Sequence, residues 1–311
     1  MPNGVARTRV AWSTSLDGEP PTGQHHKMRN RLLFPLVALI VLIAGGCNWP
    51  QTIPPGEAPL RYRDPIFDAV TVTNNLSYGS AVNLSNQTID LKLDLYQPTG
   101  DTVTSRPAIV WVHGGSFTAG NKSSGELVDE ANTFSKMGYV NVSIDYRLET
   151  PGCSGASTNC IQAIQEATAD SQTAVRFLRT NAATYGIDPN RIAIGGSSAG
   201  AIAALNVAYS TSEDATAAVR AAVSISGAQL VVGPITAGDA PVLDFHCTTD
   251  PLVQYAWAVA TITSAKAAGL DAFLETWDAT CHVPYVAHRQ QILDQSRNFL
   301  WWEMDLAHAG N

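Results

Sequence analysis

The sequence is short of the features that mark metal-binding, nucleic-acid-binding and membrane-spanning proteins. It has five cysteines in 311 residues, none of them at C-x-x-C spacing. No His/Asp/Glu group at ligand spacing accompanies them, so neither a metal site nor any other cofactor is expected. Basic side chains are outnumbered, 19 Lys and Arg against 27 Asp and Glu. That balance argues against nucleic acid or another anionic polymer as a partner. The longest apolar run, residues 32–43, is too short for a membrane span of about 20 residues. There is no internal repeat and no composition shift that would mark a second folded domain. Only 15% of residues are charged while 45% are hydrophobic, ample for one sizeable α/β core.

The N-terminus stands apart from that core. Residues 1–27 are polar, irregular and rich in Gly, Pro and Thr. Met28-Arg29-Asn30-Arg31, the apolar run 32–43 and Ala44-Gly45-Gly46-Cys47 then form a basic region, an apolar region and a small-residue cleavage point. This pattern is an export signal over 28–46. The cysteine directly after Ala-Gly-Gly resembles a bacterial lipoprotein signal, which implies lipidation at Cys47; Ala44 departs from it, since leucine is most usual there. Ordinary secretion with an unlipidated Cys47 is the alternative. Met28 is better placed than Met1 to begin such a signal, so 1–27 reads as an untranslated or disordered extension. Removing 1–46 takes five of the 19 basic and two of the 27 acidic residues, leaving 14 against 25, a net charge of −11. Residues 47–64, with Pro50, Pro54, Pro55 and Pro59 and no periodicity, read as a tether to a domain over 65–311.

Within that domain, strands and helices alternate. A first strand is expected over 69–74. Residues 89–96 alternate strictly, as a strand with one wet face does. Residues 108–112 are an unbroken apolar run, as in a strand covered on both faces. Helices are expected over 126–137 and 161–182, the latter from apolar residues at three- and four-residue spacing. Further strands are expected at 139–146, 219–226, 241–247 and 271–277, and further helices at 252–268 and 286–302. This order makes a mainly parallel sheet with helices on both faces.

The chain is organised around Ile192-Ala193-Ile194-Gly195-Gly196-Ser197-Ser198-Ala199-Gly200-Ala201. A β-branched strand runs into Gly-x-Ser-x-Gly, and an apolar helix follows. Small residues at Gly196 and Gly200 let strand and helix pass closely, and Ser198 is presented on a sharp turn. The alternative is a glycine-serine turn with no chemistry. About 80 residues earlier, the buried strand ends in His113-Gly114-Gly115-Ser116-Phe117. There the amides of Gly115 and Ser116, with that of Ala199, can converge on an oxyanion. His113 itself reads as structural.

A nucleophilic serine needs a base, and the base an orienting acid. Functional groups of a parallel sheet gather at the carboxyl ends of its strands. Past the strand at 241–247 lies Asp250, and past the strand at 271–277 lies His282. The order Ser198, Asp250, His282 is that of an α/β-hydrolase triad. Asp278 is the second choice for the acid. His246 precedes Asp250 and is read as structural, and His288 as a surface or packing residue. Four cysteines remain after export, enough for two disulfides. Cys153 and Cys160 would close a small loop worth roughly 2.5 kcal/mol by loop entropy. Cys247 lies three residues before Asp250 and Cys281 directly before His282. If acid and base meet, these two pair, at roughly 4 kcal/mol by the same reckoning.

These residues reach a family. Leu93-Asp94-Leu95-Tyr96-Gln97-Pro98, His113 to Phe117, Asp145-Tyr146-Arg147-Leu148, Tyr185-Gly186-Ile187-Asp188-Pro189-Asn190-Arg191 and Gly196 to Gly200 together resemble bacterial α/β-hydrolase esterases, near the carboxylesterase and feruloyl or acetyl-xylan esterase group. The resemblance implies the α/β-hydrolase fold and ester hydrolysis through an acyl-enzyme. Ser116 departs from it, since many relatives carry a third glycine there. Two rivals stand beside the esterase: a peptidase on the same fold, disfavoured because no propeller-sized extra domain is present, and a catalytically silent hydrolase-like binding protein. The expected partner is a small-molecule or polymer-linked ester. No large lid is evident, which points to short or soluble acyl groups.

Overall fold

A computed structural model describes residues 49–309, except 154–156 and 212. The expected extension (1–27), export signal (28–46) and lipidated Cys47 lie outside the described residues. Eight strands form one sheet: β1 (Val70–Val82), β2 (Thr88–Pro98), β3 (Arg106–Val112), β4 (Val140–Ile144), β5 (Ile187–Ser197), β6 (Ala222–Ile225), β7 (Val242–Cys247) and β8 (Ala272–Trp277). Their spatial order is β1-β2-β4-β3-β5-β6-β7-β8. β1 and β2 run antiparallel to their neighbours, and every pairing from β4 onward is parallel.

Helices cover both faces, because each parallel crossover must return over the sheet. They are α1 (Gly125–Lys136), α2 (Thr158–Thr180), the single turn α3 (Ala182–Tyr185), α4 (Ala199–Ala208), α5 (Tyr255–Ala267) and α6 (Tyr285–Glu303). All seven residues of β3 are buried, and they alternate between two cores. Ala108, Val110 and Val112 join the cluster that includes α2 and α4 residues. Ile109 and Trp111 join the cluster with Leu127 and Phe134 of α1 and Phe299 of α6. β3 has β4 on one side and β5 on the other. The chain therefore reverses its winding direction at β3, and a crevice opens at the carboxyl ends of β3 and β5, where open α/β sheets hold their sites.

The structure differs from expectation in three places. β1 is 13 residues long rather than six, because β2 continues the hairpin through two register shifts; at one, Asn75 turns to φ 60° and its amide donates to Asp94 Oδ1 at 2.8 Å. α5 starts at Tyr255 rather than 252, since the amides of Leu252 and Val253 are already held by Asp250. Over 49–64 the tether reading is corrected: the segment is docked on the domain. Asn298 Nδ2 donates to Pro50 O at 3.1 Å and Trp302 Nε1 to Thr52 O at 3.1 Å. Arg63 Nη1 donates to Pro54 O and Gly56 O, and Tyr62 is buried beside Tyr139. Proline disfavours long periodic structure here, but the backbone carbonyls remain acceptors, and α6 and Arg63 supply the donors. Among the described residues, no helix is long and apolar enough to cross a membrane.

Candidate active site

The turn after β5 presents Ser198 at φ 52°, ψ −119°. A non-glycine residue at positive φ is held only where its surroundings enforce it. Here the enforcement is steric and hydrogen-bonded. A Cβ at Gly196 or Gly200 would overlap Val112 O, so both must be glycine for β3, β5 and α4 to meet. The Ser198 amide donates to Ile225 O at 2.9 Å, and its carbonyl accepts from Ile202. Its hydroxyl is left pointing out of the turn at the N-terminus of α4.

The structure brings Ser198, His282 and Asp250 together from three separate elements. Ser198 Oγ lies 2.7 Å from His282 Nε2. His282 Nδ1 lies 2.8 Å from Asp250 Oδ2 and 3.0 Å from Oδ1. Asp250 Oδ1 also accepts the amides of Leu252 at 2.8 Å and Val253 at 3.0 Å. Burial opposes ionisation of Asp250, yet the bond from His282 and these two amides hold its carboxyl below the usual range. A carboxylate acceptor on Nδ1 selects the tautomer with its proton there, which leaves Nε2 as the acceptor for a serine proton. The Asp250 side chain is fully buried while that of His282 is 16% exposed, so of the two only His282 reaches the crevice.

The remaining sequence-derived residues fall around this line. Ser116 and Phe117 take positive φ, 54° and 62°, as does Gly115 at 119°. Ser116 and Gly115 line a cavity of about 720 Å³ that also takes in Ser198 and His282. Ala199 is the first residue of α4. Asp278, the alternative acid, instead accepts from Thr248 Oγ1 at 3.0 Å. His113 is fully buried, stacked on Tyr146 with ring centroids 4.2 Å apart. His288 marks a kink in α6 and stacks on Trp277 at 4.1 Å. Both expected disulfides are present, Cys153–Cys160 and Cys247–Cys281. The second joins the loops that carry Asp250 and His282. The first holds the segment whose Cys153 amide donates to Ser116 O at 3.3 Å. Among the described residues, no group of three or more His, Cys, Asp or Glu is arranged to hold a metal ion.

Known proteins share this arrangement of chain. The BD-FAE family model matches residues 93–229. The phenmedipham hydrolase of Pseudarthrobacter oxydans is 35% identical over 169 residues, 52% of this chain and 29% of that protein. The chlorogenic acid esterase of Aspergillus niger is 28% identical over 149 residues, 46% of this chain and 28% of that one. The matched stretch thus spans under a third of the length of either relative. Among solved structures, Thermogutta terrifontis esterase 2 phosphorylated by paraoxon has a TM-score of 0.62 at 24% identity, covering 78% of this chain and 97% of that chain. The chain has the α/β-hydrolase fold.

Several supports of this site carry no sequence signal of their own. Tyr146 OH donates to His113 O at 3.0 Å, steadying the strand end before the glycines. Ser226 Oγ, at the end of β6, accepts the Val283 amide at 3.0 Å and so anchors the His282 loop. Glu126, the second residue of α1, lines the cavity and accepts from Ser197 Oγ at 3.1 Å. Arg289 and the Tyr285 hydroxyl, both on α6, donate to Asp129 of α1 and close one wall. Each of these pairs residues far apart in the chain, so only the resemblance of whole motifs such as Asp145-Tyr146-Arg147 hinted at any of them.

Proposed function

We propose that this α/β-hydrolase is a serine carboxylesterase acting on small-molecule esters with short or soluble acyl groups. The observation that carries the reading is the continuous hydrogen-bonded line from Ser198 Oγ through His282 to Asp250, open to a cavity at Ser198 and His282 and closed at Asp250. His282 Nε2 takes the Ser198 proton as the oxygen attacks the ester carbonyl. The amides of Gly115, Ser116 and Ala199 receive the oxyanion; one such donor is worth about 3 kcal/mol of barrier in comparable sites. His282 then protonates the leaving alcohol, and Asp250 stabilises the imidazolium in between. Water repeats the attack on the acyl-enzyme and frees the acid.

The relatives support the reaction class by name, as a phenmedipham hydrolase and a chlorogenic acid esterase. Two disulfides fit an oxidising compartment and hence export, and on this reading Cys47 is the anchor point. A fluorophosphonate probe tests the proposal. It labels the wild type and not Ser198→Ala, and a series of p-nitrophenyl esters of increasing chain length, with feruloyl and acetylated-sugar esters beside it, shows turnover only in the labelled protein. An unlabelled wild type that turns over none of these esters overturns it.

A further inference from the structure

The cavity is not symmetric about Ser198. On the side of β7 and β8 it is walled by aliphatic groups: Leu252 and Val283 on the Asp250 and His282 loops and Val286 in the first turn of α6, of which Leu252 is 64% and Val286 93% exposed. On the side of α1 the wall is anionic. Glu126 and Asp129 both face the cavity, but they differ in what they hold. Asp129 is neutralised by Arg289 and hydrogen-bonded by Tyr285. Glu126 is not neutralised; among the described residues no cation pairs with it. Its Oε1 accepts from Ser197 Oγ, the side chain next to Ser198, and the carboxylate lines the same cavity as Ser198 and His282. The second oxygen has no protein donor among the described residues. A carboxylate with one oxygen spare, partly shielded beside the nucleophile, is a receptor for a hydrogen-bond donor, and for a cationic one above all.

We infer that Glu126 is a specificity-determining residue that selects esters carrying an ammonium group on the acyl portion. The assignment of the acyl side rests on the esterase reading. His282 delivers its proton to the leaving alcohol, so the alcohol lies against the His282 loop and its aliphatic neighbours. The acyl chain is then directed the other way, toward α1. The overall charge of −8 acts in the same direction, drawing cationic esters to the protein.

The test uses binding, so that it does not depend on turnover. In Ser198→Ala protein, ligand-observed NMR gives Kd for ethyl 4-aminobutanoate and for its near-isostere ethyl pentanoate. The ammonium ester binds about fivefold tighter or more, as a partly shielded ion pair allows. Adding Glu126→Gln, which keeps an acceptor for Ser197 but removes the charge, brings the two within about twofold, whereas Glu126→Asp retains a preference. With residue 126 unchanged, raising salt from about 0.05 to about 0.5 M weakens the preference. Equal affinities in the Ser198→Ala protein, or a preference that survives Glu126→Gln, overturn the inference. Wild-type turnover of the two esters reports separately on the esterase proposal. No turnover of either with the binding preference intact sinks that proposal and the acyl-side assignment with it, and leaves Glu126 as the receptor for the ammonium group.

Discussion

Two histidines in this molecule sit against aspartates on adjacent strands and loops, and they have opposite characters. His282 shares one nitrogen with Asp250 and turns the other to Ser198. His246 is fully buried; its Nδ1 lies 3.2 Å from Asp244 Oδ2 and its Nε2 2.9 Å from Val253 O. Both partners of His246 are pure acceptors, so both of its nitrogens must donate to satisfy them. Burial pulls its pKa down, but the bond to Asp244, the charge of Asp244 and the Val253 carbonyl together raise it above the ordinary value. Asp250 Oδ2 lies a further 3.6 Å from its Nε2. A His–Asp pair alone therefore says little about chemistry. The difference lies at the second nitrogen: at His282 it meets a hydroxyl in a cavity, and at His246 a backbone carbonyl in the core; only the first arrangement suits the base proposed above.

The sharpest way to break this comparison is to remove each ring. Ser198→Ala and His282→Ala are expected to lower kcat/KM for a p-nitrophenyl ester by about 10⁴-fold or more, with melting temperature little changed. His246→Gln is expected to do the reverse. It leaves Asp244 buried without its counter-charge, at a stability cost of about 3 kcal/mol, while fluorophosphonate labelling of Ser198 persists. Denaturant melts beside steady-state kinetics check both. Equal kinetic damage from the two histidines would dissolve the distinction.

Asp250→Asn comes next, at about a thousand- to ten-thousandfold in kcat with the fold intact. An amide at this position offers Nδ1 a donor as readily as an acceptor, so the tautomer that leaves Nε2 free is no longer selected. A loss below tenfold would place the orienting acid elsewhere.

The two pairs also respond to pH in opposite directions. Asp250 has a folded pKa below the ordinary 3.8. Its contribution is fully present above that value and is lost as pH falls through the lower folded one. His246 has a folded pKa above 6.5. Its contribution is fully present below 6.5 and is lost as pH rises through the higher folded one. Melts of the wild type from about pH 6 to about pH 9 should therefore show a decline, and His246→Gln, already weaker, should lack that part of the slope. Parallel curves for the two proteins would mean that His246 is neutral in the fold.

How far all this was legible depended on whether the signal was local. The unbroken run 108–112, the alternation at 89–96 and the helical spacing at 161–182 each lie within one element, and the fold follows from them. Cys247 and Cys281 were legible together because each sits beside a proposed member of one constellation, so a pairing and a geometry implied each other. The docking of 49–64 was not, since its partners Asn298 and Trp302 lie some 250 positions away and proline erases any periodicity. The character of His246 was half legible: its place before Asp250 made it structural, but nothing in Asp244-Phe245-His246 reveals that Val253 O waits at its other nitrogen. Glu126 gave no signal, because an acid in the first turn of a helix needs no explanation beyond the helix dipole.

The smallest effect is expected at Asp278, and it bears most directly on which carboxylate orients His282. Four residues before the histidine, it is close enough in sequence to be the acid. Its Oδ1 instead accepts from Thr248 Oγ1, across the neighbouring strand ends, where Thr248 N also donates to Trp277 O and Thr249 N to Ala279 O. These bonds lace the β7 and β8 loops together at an exposed surface. Asp278→Asn keeps an acceptor for Thr248, so kcat and kcat/KM should stay within about twofold and stability within about 0.5 kcal/mol. A hundredfold loss in kcat at Asp278, paired with a mild effect at Asp250, would exchange the two roles. It would require the His282 loop to rearrange during turnover, since Nδ1 faces Asp250 and Asp278 Oδ1 is held by Thr248 in the structure.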